Sequence, residues 1–345
     1  MLLSPFNLII LVLLIAFTSL SSYADSIDIE KPEFDDSILE EVIDKPTWFK
    51  LSFLDIREDV NEAKENGKKG LILYFGMEKC PYCKALLEVN FAKIDVAEYT
   101  QKNFDVVAFD VKGSRTVTTM DGEQITENKY AIQNNANFTP TLIFLNHNGK
   151  EVHRIVGYLP VYAFTAGLEY VADQHYKKET FKEYLARGEI LSKPEKGDIN
   201  YLDYSASQPY ILQRNIIHAQ RPLLVIFEQG SCHACNVLHS GPLKNESILT
   251  KLHQLDIVQL NMWGDEKIID VKGEKKTARE WANTLGIYYT PTLIFYDEKG
   301  ESIIRLASVA HFNRINNLLN FVTSKGYKKY KNLADWNNRE TSDQK

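Results

Sequence analysis

Every cysteine of this 345-residue chain stands in one of two Cys-x-x-Cys pairs, Cys80/Cys83 and Cys232/Cys235. Each pair is followed further along by Thr-Pro-Thr, at Thr139-Pro140-Thr141 and Thr290-Pro291-Thr292. The duplication extends beyond these motifs. Asp105, Gly113, Gly122, Thr126, Ala131, Pro140, Gly149 and Val171 recur 151 positions later as Asp256, Gly264, Gly273, Thr277, Ala282, Pro291, Gly300 and Val322. The cysteines are offset by 152, so a single-residue length difference falls between Cys83 and Asp105. Solenoid repeats run only ~20 to 50 residues, so a period of this length means two whole domains. Each is long enough to bury a core without disulfide staples, which leaves the cysteines available for chemistry. The net charge of -6 gives no basic footprint, and no nucleic-acid partner is expected.

The amino terminus reads as an export signal spanning residues 1–24. An apolar run from Leu8 to Phe17 precedes Thr18, Ser19, Ser21 and Ser22, with cleavage expected after Ala24. No Lys or Arg precedes the run, and Leu2 to Leu20 approaches bilayer-spanning length, so an uncleaved membrane anchor is the alternative. Either way the domains are expected in an oxidising compartment, periplasmic or otherwise extracytoplasmic. An acidic lead-in over 25–47 follows; nine carboxylates between Asp25 and Asp44, with little apolar periodicity, predict a tether.

Domain 1 is expected over 48–187, a linker over 188–204 and domain 2 over 205–345. In domain 1 the apolar run Gly70 to Gly76 predicts a buried strand directly before the dithiol. Ala85, Leu86, Val89 and Ala92 predict a helix after it. Further strands are predicted at Phe104 to Val111, Thr141 to Leu145 and Glu151 to Val156, the last two joined by a turn at Asn146-His147-Asn148-Gly149. A helix is predicted to start at Pro160, with an amphipathic extension from Tyr176 to Arg187. Domain 2 repeats this order, and the alternation predicts an α/β fold in which helices flank a mixed sheet.

Thiol exchange needs a thiolate. A first cysteine at a helix amino terminus meets unpaired N–H groups that stabilise the anion, which makes Cys80 and Cys232 the attacking sulfurs. Cys83 and Cys235, one turn deeper, are placed to resolve the mixed disulfide. Pro81 suits a first helical position, where its missing N–H costs nothing.

A Cys-Pro-Tyr-Cys after an apolar strand, with a later Thr-Pro before another strand, resembles the thioredoxin superfamily. More narrowly, the chain is similar to the SoxW-like thioredoxin-related proteins of the bacterial periplasm. Domain 1 carries their Gly157-Tyr158, and domain 2 their Phe227-Glu228-Gln229 and Asn261-Met262-Trp263-Gly264-Asp265. The resemblance implies two tandem thioredoxin-like domains that act as an extracytoplasmic thiol-disulfide oxidoreductase. Its redox groups would be the disulfides Cys80–Cys83 and Cys232–Cys235, with no other cofactor and no metal. It implies cis peptides at Pro140 and Pro291, and substrate pairing at Thr139, Thr290, Gly157 and Tyr158. Protein thiols and disulfides are the implied partners, together with a membrane electron donor of the DsbD/CcdA type. Domain 1 fits the pattern more fully and is expected to carry the general exchange activity.

The departures are specific. Tyr74 and Ile226 stand where thioredoxin keeps a buried carboxylate; Glu78 or Glu228 is a substitute, though each reads first as a solvated side chain. Ser308-Val309 replaces Gly157-Tyr158 in domain 2. His233, between Cys232 and Cys235, is expected to tune the Cys232 thiolate. His239 reads as a helix-surface residue, and Trp263 and Trp281 as core or groove lining. Two other readings compete: a zinc or copper module built on the four cysteines with His233, and a redox-inactive scaffold. A c-type haem site is excluded, because Lys84 and Asn236 follow the second cysteines.

Overall fold

A computed structural model describes residues 34–188 and 198–342. The expected signal segment lies outside the described residues, as do 189–197 of the expected linker. In domain 1 the strands are β1 (Gly70–Gly76), β2 (Phe104–Asp110), β3 (Thr116–Thr118), β4 (Gln124–Thr126), β5 (Thr141–Leu145) and β6 (Glu151–Val156). The main sheet has the order β2-β1-β5-β6. β1 pairs parallel to β2 and antiparallel to β5, and the β5–β6 hairpin closes the edge. In domain 2 the strands are β7 (Tyr210–Ile211), β8 (Leu223–Glu228), β9 (Asp256–Asn261), β10 (Lys267–Ile269), β11 (Lys275–Thr277), β12 (Thr292–Tyr296) and β13 (Ser302–Leu306). The order β13-β12-β8-β9 repeats the first sheet strand for strand.

The central strands are buried on both faces, which is why they read as continuous apolar runs instead of alternating patterns. The side chains nevertheless sort by parity. Ile72 and Tyr74 face one core with Leu86 and Phe91, while Leu71, Leu73 and Phe75 face another with Phe109 and Ala131. In domain 2, Leu224 and Ile226 pack against Leu238 and the helix Phe312–Thr323, and Phe227 packs against Trp281. Burying one such side chain fully is worth about 1.5–3 kcal/mol, so these layers fix the strand register.

Three stretches differ from the sequence reading. The helix after Cys83 is not continuous: Pro81–Ala85 runs into one wide π turn, Leu86–Asn90, before a separate helix Ile94–Asn103. The wide turn seats the fully buried Asn90, whose amide donates to Leu159 O at 3.1 Å. The long segment between β2 and β5 carries a small hairpin, β3–β4. The acidic lead-in is not a loose tether from Asp35 onward. It is strapped across the cysteine loop, Leu39 N–H donating to Lys79 O at 3.0 Å and Ile43 N–H to Glu78 O at 2.9 Å.

From Asp35 onward the chain forms one compact unit, in which the domains meet through corresponding parts. Phe138, just before Thr139-Pro140, packs into a core of domain 2; Tyr289, just before Thr290-Pro291, packs against a core of domain 1. The helix Phe181–Gly188 that ends domain 1 reaches domain 2, with Phe181 5.1 Å from Tyr288 and Lys182 bonded to Asn283. Reciprocally, beside the helix Leu333–Ser342 that ends domain 2, Asn332 donates to Ile132 O and Asn135 Oδ1, each at 2.8 Å. The amphipathic extension predicted at Tyr176 to Arg187 is thus an interdomain clasp.

Candidate active site

Each dithiol begins a helix at the end of its central strand. Cys80 caps Pro81–Ala85 and Cys232 caps His233–Ser240, both with extended backbone. Both pairs are disulfide-bonded, with Cα–Cα separations of 5.1 and 5.2 Å. The amide of Cys83 points at Cys80 Sγ at 3.0 Å, and that of Cys235 at Cys232 Sγ at 3.0 Å. On reduction these N–H groups face a sulfur that carries negative charge, and so lower its proton affinity.

The threonine-proline loops meet the same sulfurs. Thr139-Pro140 and Thr290-Pro291 are cis, as is Gln208-Pro209, which sequence reasoning did not single out. Thr139 Oγ1 donates to Cys80 Sγ at 3.2 Å, and Thr290 Oγ1 lies 3.5 Å from Cys232 Sγ. Gly157, at φ +82, follows β6, and its N–H donates to Pro140 O at 2.8 Å. The structure therefore gathers Thr139 and Pro140 around the Cys80–Cys83 sulfurs, with Gly157 bonded to Pro140 and Tyr158 next in the chain, and Thr290 and Pro291 around the Cys232–Cys235 pair. His233 is exposed at the first helical position after Cys232.

The surroundings of the two dithiols differ. Cys80 is 1% exposed and Cys232 8%. Over Cys80 lie the domain 2 loop that follows β13 and the start of Phe312–Thr323. Val309 N–H donates to Tyr158 O at 3.3 Å, and a side chain on Gly157 would collide with Ser308. The Arg314 guanidinium stacks 3.4 Å from the Tyr82 ring centroid and donates to Thr139 O at 2.7 Å. Burial pushes its pKa down from the usual arginine value, a shift opposed by Tyr82 and Asp36. Asp36 caps Phe312–Thr323, accepting from the N–H groups of Asn313 and Arg314, each at 2.9 Å. Tyr82 Oη donates to Asp36 at 2.9 Å and accepts from His311 N–H at 3.0 Å.

Under the domain 2 dithiol sits a buried ionisable cluster. Glu228, four residues before Cys232, has the strand parity of Leu224 and Ile226 and is fully buried, not a solvated carboxylate. His239 Nε2 lies 2.9 Å from Glu228 Oε1, and the Gln259 amide bonds the other oxygen. His239 is therefore not a surface residue: it stands one turn beyond Cys235 on the same helical face and is largely covered. A carboxylate at this depth persists only with such partners. In domain 1 the corresponding positions hold Gly76, Leu87 and Ala108. There the ring of Tyr74 takes the space, its hydroxyl 2.6 Å from where a side chain on Gly76 would begin. Burial raises the Tyr74 pKa further, so it offers no base near neutrality. Glu78 is exposed. Among the described residues no group of three or more His, Cys, Asp or Glu is arranged to hold a metal ion, so the four cysteines do not assemble into one site.

The sequence profile of the thioredoxin-like domain matches twice, at residues 56–172 and 213–323, and the chain belongs to that family. A thioredoxin-fold protein from Helicobacter pylori is 21% identical over 35% of this chain and 80% of its own, with a TM-score of 0.32. A thioredoxin from Thermus thermophilus is 25% identical over 34% of this chain and 83% of its own, with a TM-score of 0.27. A disulphide isomerase from Xylella fastidiosa is 16% identical over 40% of this chain and 88% of its own, with a TM-score of 0.21. No curated protein matches the chain in sequence.

Proposed function

We propose that this protein is an extracytoplasmic thiol-disulfide oxidoreductase with two redox centres, Cys80–Cys83 and Cys232–Cys235, that exchanges disulfides with proteins. The observation that carries this reading is the pairing, in both domains, of a helix-capping cysteine sulfur with a backbone amide at 3.0 Å and a threonine hydroxyl within 3.5 Å. A thiolate at Cys80 or Cys232 attacks one sulfur of a substrate disulfide, forming a mixed disulfide and expelling a substrate thiolate. Cys83 or Cys235 then attacks the first cysteine, closing the internal disulfide and releasing the second substrate thiol. Two electrons pass to the substrate, and the reverse sequence oxidises a substrate dithiol. Thr139, Thr290 and their prolines border the sulfur that is attacked, Gly157 and Tyr158 flank Pro140, and His233 adds an imidazole beside Cys232. The extracytoplasmic assignment is supported by the amino-terminal apolar run. In that setting a membrane electron donor of the DsbD/CcdA type is the proposed source of reducing equivalents.

The test is the resolving-cysteine variant. Cys235→Ser should accumulate mixed disulfides between Cys232 and substrate proteins, resolved on non-reducing gels and released by dithiothreitol. Absence of adducts, together with failure of the pre-reduced wild-type protein to reduce insulin, would overturn the assignment.

A further inference from the structure

The groove beside the Cys80 dithiol is already occupied. A polypeptide pairing by its backbone along Thr139 would approach the Thr139 carbonyl, and the Arg314 guanidinium already lies on that carbonyl at 2.7 Å. Val309 donates to Tyr158 O across the next turn. Arg314 is itself only 9% exposed. Its place is fixed by Asp36 at its backbone N–H, by the Tyr82 ring beneath it, and by acceptance of its other nitrogen at Ser308 Oγ (3.2 Å) and Val309 O (3.0 Å). The arrangement is one-sided. The position in domain 1 that corresponds to Arg314 through the 151-residue period is Ala163, which carries no group able to reach Thr290.

What remains at Cys80 is a chamber of about 210 Å³ between strap, domain 1 and domain 2. Its walls include Cys80, Asp36, Asn137, Asn313, Arg314 and Asn337. Pockets for drug-sized ligands run ~300–1,000 Å³, and a water takes ~30 Å³ of liquid, so this half-open pocket suits a compact solute. Ile38, Met77, Val111, Ala136 and Phe138 give it a largely apolar lining, and Asp36 and Arg314 are held by internal bonds, so it does not select for a highly charged solute.

We propose that Arg314 is the specificity-determining residue of the Cys80 dithiol, excluding polypeptides so that this centre exchanges with low-molecular-weight disulfides, while Cys232–Cys235 remains the centre for proteins. The inference rests on the oxidoreductase reading above and narrows it: proteins exchange at Cys232–Cys235 alone, the reverse of the sequence expectation that domain 1 carries the general exchange activity. In the reducing direction, the Cys80 thiolate attacks a small disulfide RSSR, forming Cys80–S–S–R and releasing RS⁻. Cys83 then attacks Cys80 Sγ, closing the Cys80–Cys83 disulfide and releasing a second RS⁻. Two electrons leave the protein dithiol, and its two protons pass to the released thiolates or to solvent.

The experiment uses the full chain carrying Cys232→Ser and Cys235→Ser, so that Cys80–Cys83 is the one dithiol. The protein is reduced with dithiothreitol, freed of it, and mixed with cystine or with insulin; single-turnover oxidation is followed by acid quench and alkylation. With Arg314 in place, cystine should react at least 100-fold faster per disulfide than insulin. Arg314→Ala should narrow that ratio at least tenfold, mainly by speeding the insulin reaction, and Asp36→Ala should move it in the same direction. The ratio is the informative quantity, because a general loss of stability does not by itself discriminate between the two disulfides. Comparable rates for insulin and cystine in the Arg314 protein, or a ratio unmoved by both substitutions, would overturn the inference and leave the oxidoreductase reading standing. Reaction with neither disulfide in any of the three proteins would overturn the inference and remove Cys80–Cys83 from the oxidoreductase reading, whose Cys232–Cys235 centre is tested separately by Cys235→Ser.

Discussion

His153 gives the protein a defined acid weakness. It lies on β6 within an aromatic cage, with ring centroids 5.5 Å from Phe144, 5.2 Å from Tyr170 and 4.5 Å from Phe181. Its Nε2 is sealed from solvent and has no hydrogen-bond partner. Burial pushes its pKa down to about 3. The unfolded chain binds this proton near the ordinary histidine value of ~6.5, whereas the folded protein refuses it until about 3. Stability is therefore unaffected above ~pH 6.5 and falls as the pH drops below it, by about 1.4 kcal/mol per unit once the unfolded state is protonated. Between pH 8 and pH 5 the loss from this one group is about 2 kcal/mol, a sizeable part of the ~5–15 kcal/mol that holds a typical domain together. His153→Phe fills the same cage and removes the titration. Reversible urea unfolding of both proteins at pH 8, 6.5 and 5 is the assay. The stability of the variant relative to wild type should rise by about 2 kcal/mol across that range. A difference that stays constant with pH would refute the reasoning.

Two further substitutions probe charge placement. His239→Leu leaves the Glu228 carboxylate buried with Gln259 alone and should cost about 2–4 kcal/mol in urea unfolding; adding Glu228→Leu should recover most of it, and a single substitution costing under about 0.5 kcal/mol would count against the pair. At Glu298 burial raises the carboxyl pKa, but bonds from its own N–H, Lys325, Lys328 and Tyr327 outweigh it and bring the value to about 2. The resulting stability is present above the unfolded value near 4.5 and is lost as the pH falls through about 2. Glu298→Gln should therefore cost about 1–2 kcal/mol at pH 7 and nothing near pH 2, as thermal unfolding against pH would register.

The sheets were legible because their signals are local. Gly70 to Gly76 and Leu223 to Glu228 are apolar runs ending at the cysteine loops, and Asn146 to Gly149 is a turn sequence between two strands. Glu228 was misread although its signal was present: it alternates with Leu224 and Ile226, so it points at the core, and His239 sits one turn beyond Cys235 on the facing helix. Strand parity and helix spacing together called for a buried pair at that point. Asp36 carried no comparable signal. It caps a helix that begins more than two hundred residues later, and nothing in an acidic stretch separates that carboxylate from its neighbours. Arg314 is visible as a departure from Ala163 under the repeat, but its meaning depends on how two domains face each other, which no periodicity encodes.

The repeat and the interface together account for the difference between the two centres. Duplicated domains that meet through corresponding surfaces begin with equivalent grooves, so one substitution at the contact acts on one dithiol and leaves the other unchanged. Arg314 in place of an alanine-sized side chain reaches Thr139 O, while its counterpart Ala163 reaches nothing on Thr290. Inside the domains the divergence has the opposite sense. Domain 1 fills the space behind its dithiol with the Tyr74 ring, and domain 2 keeps there the buried Glu228–His239 pair, one turn beyond Cys235 on its helix. The more covered sulfur thus has the less ionisable support, and the more accessible sulfur has the greater. Two copies of one centre would gain little from both changes arising in opposite halves of the chain. Two centres of different substrate size would use such a division, with a dithiol covered by Arg314 in one domain and a less covered one beside the buried Glu228–His239 pair in the other.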